Sequence, residues 1–163
     1  MARWVIVDES LDKGLARQLS ARGRDAASLQ QLGLNGRDDP DVISELGNLE
    51  RTDWVLVTAD DAMPWEHGDQ LHSIGATVAT IDGEWARLVE KNGLAGTMDH
   101  ESFKCETVHR WVHQMAEQEA GTFYRYNAFR GGRPWKVRRQ HKQRTPLLAP
   151  GASRQLTLDD APG

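Results

Sequence analysis

The sequence is short of residues that cross-link a chain or anchor it in a membrane. Its single cysteine, Cys105, excludes an internal disulfide and is typical of a reducing compartment. No apolar run approaches the roughly 18 residues that a membrane-spanning helix needs. The amino terminus lacks the apolar stretch and cleavage site of a secretory signal. We therefore expect a cytoplasmic protein with no membrane partner.

The charges are distributed unevenly along the 163 residues, which suffice for one domain and an extension. Residues 1–121 carry 11 Lys/Arg and 22 Asp/Glu, a formal charge of −11, whereas residues 122–145 carry eight Lys/Arg and no acid. This asymmetry predicts an acidic domain at 1–121 and a basic, aromatic-containing extension at 122–145. Residues 146–163 are rich in Pro, Gly and Ala, and we expect that tail to be disordered.

Apolar runs alternate with helical patterns through the acidic part of the chain. The runs predict strands at 3–7, 25–29, 54–58 and 76–81, with 122–129 as a further candidate. Helices are predicted to begin near Leu11, Asp39, Asp60 and Asp82, and a longer one is predicted from Asp99 to Gly121. This alternation predicts an α/β, three-layer domain with a mainly parallel sheet of four to five strands. Gly131, Gly132 and Pro134 are expected to break any strand that follows.

Three aspartates follow strands or open a helix in this scheme. Asp8 follows the first strand, Asp60 follows the third, and Asp39 opens the helix between them. Functional groups gather at the carboxyl ends of the strands in an open parallel sheet, so these acids are expected to meet at one edge. Without a basic partner they are costly to hold together unless a divalent cation neutralises them. This arrangement predicts a metal-dependent phosphoryl site.

The competing interpretation of the same acids is helix capping, which contributes only about 1 kcal/mol per cap. Asp8 would then cap the first helix, and Asp39 would be the cap of a helix that Pro40 begins. Thr58 either bonds a carboxylate or simply completes a β-branched strand. Ser10 and Asn35 lie near the same edge, but the sequence assigns neither of them a role.

An ordered series of short motifs resembles the PIN-like domain family, in particular a small bacterial subfamily that begins with an L-x-D-E-x-L pattern. The matching segments cover roughly residues 4–82 and are Val7–Leu11, Leu19–Asp25, Leu32–Gly36, Asp39–Ile43 and Val55–Asp60. The resemblance implies a PIN-like, Rossmann-like fold in which Asp8, Asp39 and Asp60 are catalytic and bind Mg²⁺ or Mn²⁺ for RNA hydrolysis. Such endoribonucleases include VapC-type toxins, so an antitoxin protein is an implied partner.

One position departs from the pattern of the resembling subfamily. A second acid usually stands two residues after the aspartate that corresponds to Asp60, and here that residue is Ala62. Asp61 or Asp82 is the candidate for the missing charge and for an additional metal ligand. The alternative is a catalytically weak PIN-like module that binds RNA or protein.

The basic extension interleaves cations with aromatic rings, a combination that neutralises phosphates and stacks on unpaired bases. It predicts RNA binding by Arg125, Arg130, Arg133, Trp135, Lys136, Arg138 and Arg139. The segment has two other interpretations: it shields the acidic domain, or it docks an antitoxin. The sequence leaves the oligomeric state open, and a homodimer is one option.

Two further alternatives belong to different classes of protein. Acids after the first and third strands also fit a receiver-like phosphoacceptor domain, for which Asp8 and Glu9 give a partial match. Cys105, His109 and His113 recur every four residues on the long helix, as a zinc site would require. They climb roughly 12 Å along the helix axis, which is too far for one ion, so a partly buried helix face is favoured.

Overall fold

The chain was analysed as a computed structural model that describes residues 2–81, 100–129 and 131–135. The described elements are, in chain order, β1 (Trp4–Val7), α1 (Leu15–Ala21), β2 (Ala26–Ser28), α2 (Asp39–Gly47), β3 (Trp54–Thr58), α3 (Ala62–Ser73), β4 (Val78–Ile81), α4 (His100–Ala116), β5 (Phe123–Asn127) and β6 (Gly131–Pro134). Outside these residues lie the helix predicted from Asp82, the side chains of Arg130, Lys136, Arg138 and Arg139, and the tail at 146–163. No helix in the described ranges is long and apolar enough to cross a bilayer.

The strands form one six-stranded sheet in the order β2-β1-β3-β4-β5-β6. Strands β1 to β5 are parallel to their neighbours, and only β6 runs antiparallel, against β5. The predicted α/β architecture with a mainly parallel sheet is therefore confirmed, but the sheet has six strands rather than the predicted four to five. The chain leaves β1 towards β2 on one side and returns to β3 on the other, which makes the gap between β1 and β3 a topological switch point.

Helices cover both faces of the sheet, because the central strands β3 and β4 are buried in every position. Val5 and Val7 of β1 face the cluster that includes Leu15 of α1 and Val108 of α4. Ile6, which points the opposite way, joins the cluster formed with α2 and α3. Alternate residues of a strand point to opposite faces, so an uninterrupted apolar run requires helices on both sides.

Helix α4 ends at Ala116 rather than at the predicted Gly121. The chain turns there because the buried side chain of Gln118 forms hydrogen bonds with strands of the sheet. Its amide donates to the carbonyl oxygen of Val78 at 3.0 Å, and its oxygen accepts from the hydroxyl of Tyr126 at 2.8 Å. These bonds satisfy polar groups that would otherwise be buried unpaired.

The start of the basic extension belongs to the sheet, as the candidate strand at 122–129 predicts. Strand β5 pairs with β4, and β6 continues the sheet through the glycines that were predicted to break it. Gly131 has a φ of 72°, a conformation in which a side chain is strained. A side chain on Gly132 would overlap the ring of Tyr126. Pro134 is tolerated because β6 is an edge strand.

Replacing Gly132 with alanine tests whether β6 packs on the domain. We expect Gly132→Ala to lower the free energy of unfolding by about 1–3 kcal/mol, because the new methyl group displaces a buried tyrosine ring. Urea unfolding measures the change. Arg133→Ala, at the exposed neighbouring position, is the control and should stay within about 0.5 kcal/mol of the parent. Equal stability of Gly132→Ala and the parent would contradict this packing.

Candidate functional site at the carboxyl edge of the sheet

The carboxylate of Asp8 lies at the switch point and is almost fully buried, with 8% of the residue exposed. Its Oδ2 atom accepts from the hydroxyl of Ser10 at 2.7 Å, from the hydroxyl of Thr58 at 2.9 Å and from the backbone N–H of Ser10 at 3.2 Å. Within the described residues no donor reaches Oδ1. One oxygen is thus used to hold the site together, and the other is left for a ligand.

The two hydroxyl groups also hold the backbone after β3. Ser10 Oγ accepts from the N–H of Ala59 at 2.9 Å, and Thr58 Oγ1 accepts from the N–H of Asp60 at 2.9 Å. Each hydroxyl has a single proton, which it gives to Asp8. Their mutual contact of 3.2 Å is therefore a close approach of two acceptors rather than an additional bond. Of the interpretations of Thr58, the sequence slightly favours the simple end of a β-branched strand, whereas the structure shows the bond to a carboxylate. Ser10 has a structural role that the sequence did not reveal.

Asp8 does not cap the first helix, since α1 begins only at Leu15. The interpretation of Asp39 as a cap was also wrong. Asp38 is the N-cap of α2, and its side chain accepts from the N–H of Asp41 at 3.1 Å. With two consecutive aspartates before Pro40, the pattern fits either register. The observed one leaves the carboxylate of Asp39 outside the cap.

The three predicted acids interact electrostatically. Partial burial raises the pKa of Asp39, the charge of Asp60 raises it further, and the charges of Asp8 and Glu66 add smaller increases. His67 acts in the opposite direction, with its Nε2 atom 3.9 Å from Asp39 Oδ2. The charges of Asp60 and Asp8 therefore both act on Asp39, and the predicted metal site formed by the three acids stays a prediction.

These acids offer hard oxygen ligands to a divalent cation, but they are not a preformed three-ligand cage. In the ranges that the structure describes, no three His, Cys, Asp or Glu side chains are grouped as a metal site. Mg²⁺ retains several waters and commonly takes only one or two protein carboxylates directly. The open oxygen of Asp8 together with Asp39 and Asp60 fits that mode of binding.

The other predicted metal ligands and RNA-binding residues lie in different surroundings from one another. Asp61 is paired with Arg125, whose Nη2 atom lies 2.8 Å from Asp61 Oδ2. The guanidinium carbon of Arg125 is also 4.5 Å from the ring centroid of Trp135. Arg133 is exposed on β6, whereas Asp82 lies outside the described residues. The first cation of the basic extension is therefore bound to the acidic domain.

Two basic groups near the site were not identified from the sequence. Lys104 of α4 donates to the carbonyl oxygen of Ser10 at 3.1 Å and pairs with Glu101 at 2.6 Å. His67 approaches Asp39 from α3, at a non-helical residue inside that helix. Neither has a local motif, because each reaches the edge from an element distant in sequence. Only the packing of α3 and α4 could have revealed them.

The histidine and cysteine face of α4 is used for packing rather than for zinc. His109 contacts Gln18 and Arg22 of the α1 region, each at 2.9 Å through its ring nitrogens. Burial lowers the pKa of His109, and the neighbouring charge of Arg22 lowers it further. Burial raises the pKa of the Cys105 thiol, which makes the thiolate less available. The partly buried helix face is therefore the better description.

Removing the Thr58 hydroxyl tests the hydrogen bonds that hold the site. We expect Thr58→Val, which preserves the shape of the side chain, to cost about 1–3 kcal/mol because it leaves buried polar groups of Asp8 and Asp60 with fewer partners. Thr58→Ser keeps the hydroxyl and should lose less stability. The free energy of unfolding measures both variants. A valine variant as stable as the serine variant would show that these bonds contribute nothing.

The raised pKa of Asp39 predicts a pH-dependent gain in stability for Asp39→Asn. The stability that protonated Asp39 supplies is fully present below its ordinary pKa of 3.8 and is lost as the pH rises through the higher folded-state pKa. At pH 7 without metal, Asp39→Asn should unfold at higher urea concentration than the parent, and the two should converge below pH 4. Asp41→Asn, in the same helix turn, controls for the lost helix-dipole interaction. A less stable Asp39→Asn at pH 7 would contradict the prediction.

Comparison of the chain with protein-family models, with curated proteins and with solved structures finds no match. The chemistry of the site is therefore argued from its own residues and geometry.

Proposed function

We propose that this protein is a PIN-like, metal-dependent endoribonuclease that hydrolyses RNA phosphodiester bonds. The observation that carries the proposal is the buried carboxylate of Asp8 at the switch point of a parallel sheet, together with the charges of Asp60 and Asp8 that raise the pKa of Asp39. Like charges held close together cost free energy, and His67 offsets only part of the effect on Asp39. Binding of a cation offsets that cost. The motif series in residues 4–82 supports the same family.

The contacts of each residue indicate its role in the proposed site. Ser10 and Thr58 fix one oxygen of Asp8 and, through the backbone, the start of the segment that bears Asp60. Asp39 enters from the first turn of α2. Asp8, Asp39 and Asp60 would hold Mg²⁺ or Mn²⁺. Such an ion supplies, when bound, an activated water nucleophile and charge neutralisation at the leaving oxygen. The protein contributes positioning and fixed charge.

The basic extension supports RNA as the substrate. Arg133 is exposed on the edge strand, and Arg125 and Trp135 stack beside Asp61 at the start of α3, the helix that follows Asp60. A cation stacked on an indole is an arrangement that also accommodates an unpaired base. We further propose a toxin with an antitoxin partner, by the family resemblance, and a cytoplasmic location, by the single cysteine.

Two alternatives have specific observations in their favour. A weakly catalytic binding module is favoured by Ala62, which begins α3 where the subfamily has an acid. A receiver-like phosphoacceptor is favoured by the strand order 2-1-3-4-5, which that fold shares. Against the receiver, the residues directly after β5 are Ala128 and Phe129 rather than the lysine that it needs.

A cleavage assay with structured RNAs and Mg²⁺ or Mn²⁺ tests the proposal. We expect the parent to cut RNA and EDTA to abolish cutting. Asp8→Asn and Asp60→Asn should lower the rate at least about 100-fold, more than a change outside the ligand set costs. Asp41→Asn, an exposed acid two residues from Asp39, is the matched control and should cut like the parent.

The same preparations distinguish the alternatives. RNA binding without cutting by the folded parent supports the binding module, and labelling of Asp60 by acetyl phosphate supports the receiver. Cutting that persists in EDTA or in Asp8→Asn would contradict the nuclease proposal.

A further inference from the structure

A cavity of about 410 Å³ opens beside Asp8, on the side of β1 that faces β2. Its volume falls in the range of about 300–1,000 Å³ that is usual for small-molecule sites. The apolar part of its wall is buried and comes from Val7, Leu11 and Leu29. A second hollow of about 290 Å³ adjoins it and shares Lys13, Ser28 and Gln30. Together they form one cleft, which we call the β1–β2 cleft.

Two acids in the wall of the β1–β2 cleft, Glu9 and Asp12, accept hydrogen bonds from backbone N–H groups. Both carboxylate oxygens of Glu9 accept from the N–H of Gly36 at 3.1 Å, which ties the loop before α2 to the end of β1. Asp12 Oδ2 accepts from the N–H of Gly14 at 3.0 Å. These bonds close the cleft on one side and stabilise the turn that leads into α1.

The cations in the wall of the cleft differ from these acids in their bonding. Lys13, in the turn before α1, and Arg17, in its first turn, are exposed and line the same hollow. Among the described residues neither forms an ion pair or a side-chain hydrogen bond. Gln30 and Asn35, also exposed, offer amides that both donate and accept hydrogen bonds. The cleft thus combines apolar surface, amides, the hydrogen-bonded acids Asp8, Glu9 and Asp12, and two uncommitted cations.

We propose that the β1–β2 cleft binds a nucleotide of the RNA strand next to the bond that is cut. Lys13 and Arg17 hold the phosphate of that nucleotide, and the apolar wall with Gln30 and Asn35 receives its base. Asp8 itself lines the cleft, so a strand that fills the cleft lies beside that carboxylate. This inference rests on the proposed nuclease function and adds where the substrate lies.

Binding of a short single-stranded RNA, measured by fluorescence anisotropy in EDTA, tests the cleft without requiring catalysis. Lys13→Gln and Arg17→Gln should each reduce the slope of log K against log salt by about 0.7, the value for one phosphate contact on a single strand. At 0.1 M salt that loss corresponds to about a fivefold weaker affinity. Arg24→Gln, at the opposite end of β2, is the matched control and should leave affinity and slope unchanged.

A second pair of variants adds charge without changing size. Gln30→Glu places a negative charge where both hollows meet and should weaken binding at least as much as Lys13→Gln. Gln114→Glu is its control, because Gln114 is exposed on α4 and uses its oxygen to accept from Gly132, as a glutamate can. Thermal unfolding confirms that each variant is folded.

The outcomes separate this inference from the nuclease proposal. Selective loss of binding in the cleft variants, with no cutting by the parent in Mn²⁺, supports the cleft and contradicts the nuclease. Cutting by the parent with equal RNA affinity in all variants overturns the cleft and leaves the nuclease standing. Equal weakening by Arg24→Gln and Lys13→Gln also overturns it, since that result indicates a general attraction to positive charge.

Discussion

The hydrogen bonds between Asp8 Oδ2 and the hydroxyls of Ser10 and Thr58 are the constraint on which the rest of the site depends. They join the ends of two parallel strands that are distant in sequence. The same hydroxyls accept from the backbone beyond β3, so a single carboxylate oxygen organises both segments. In a buried setting such a network is strong when every member is satisfied. Rigidity at this edge therefore comes from polar bonds, whereas the apolar clusters hold the layers.

That constraint has an electrostatic consequence. By holding Asp8 and Asp60 at adjacent strand ends, the network brings their charges near Asp39, and burial and like charge together raise the pKa of Asp39. His67 supplies only partial compensation. The domain thus tolerates a local cost at its edge while its helices and strands satisfy their own backbone groups. Local rules are most often violated at functional sites, because function requires groups that stability alone would remove.

The sequence predicts those parts of the fold whose burial can be recognised from a continuous run of residues. The run at residues 54–57 is apolar in every position, and that pattern requires a central strand with helices on both faces. Asp8 and Asp60 could be placed at one edge because parallel strands end together. The helix cap could not be placed, because Asp38 and Asp39 satisfy the same local rule. Strand β6 was missed since Gly131 and Gly132 are normally breakers, and only the positive φ of Gly131 and the contact of Gly132 with Tyr126 explain them.

The roles of Lys104 and of the β1–β2 cleft could not be predicted from local sequence patterns for a similar reason. Lys104 reaches Ser10 across 94 residues, and the cleft is formed by turns whose polar residues are ordinary in loops. Their significance depends on which elements pack together. Glu9 occupies the glutamate position of the L-x-D-E-x-L pattern, and its carboxylate accepts from the N–H of Gly36 and so holds that loop.

The most direct measurement is a crystal structure of the protein grown with Mn²⁺, with the ion located by its anomalous scattering. The account predicts a peak within coordination distance of the open Oδ1 of Asp8 and bridged, directly or through water, to Asp39 and Asp60. No peak at the carboxyl edge would contradict the account. So would carboxyl groups of residues 8 and 60 more than about 10 Å apart, a distance that neither one ion nor an ion pair can bridge.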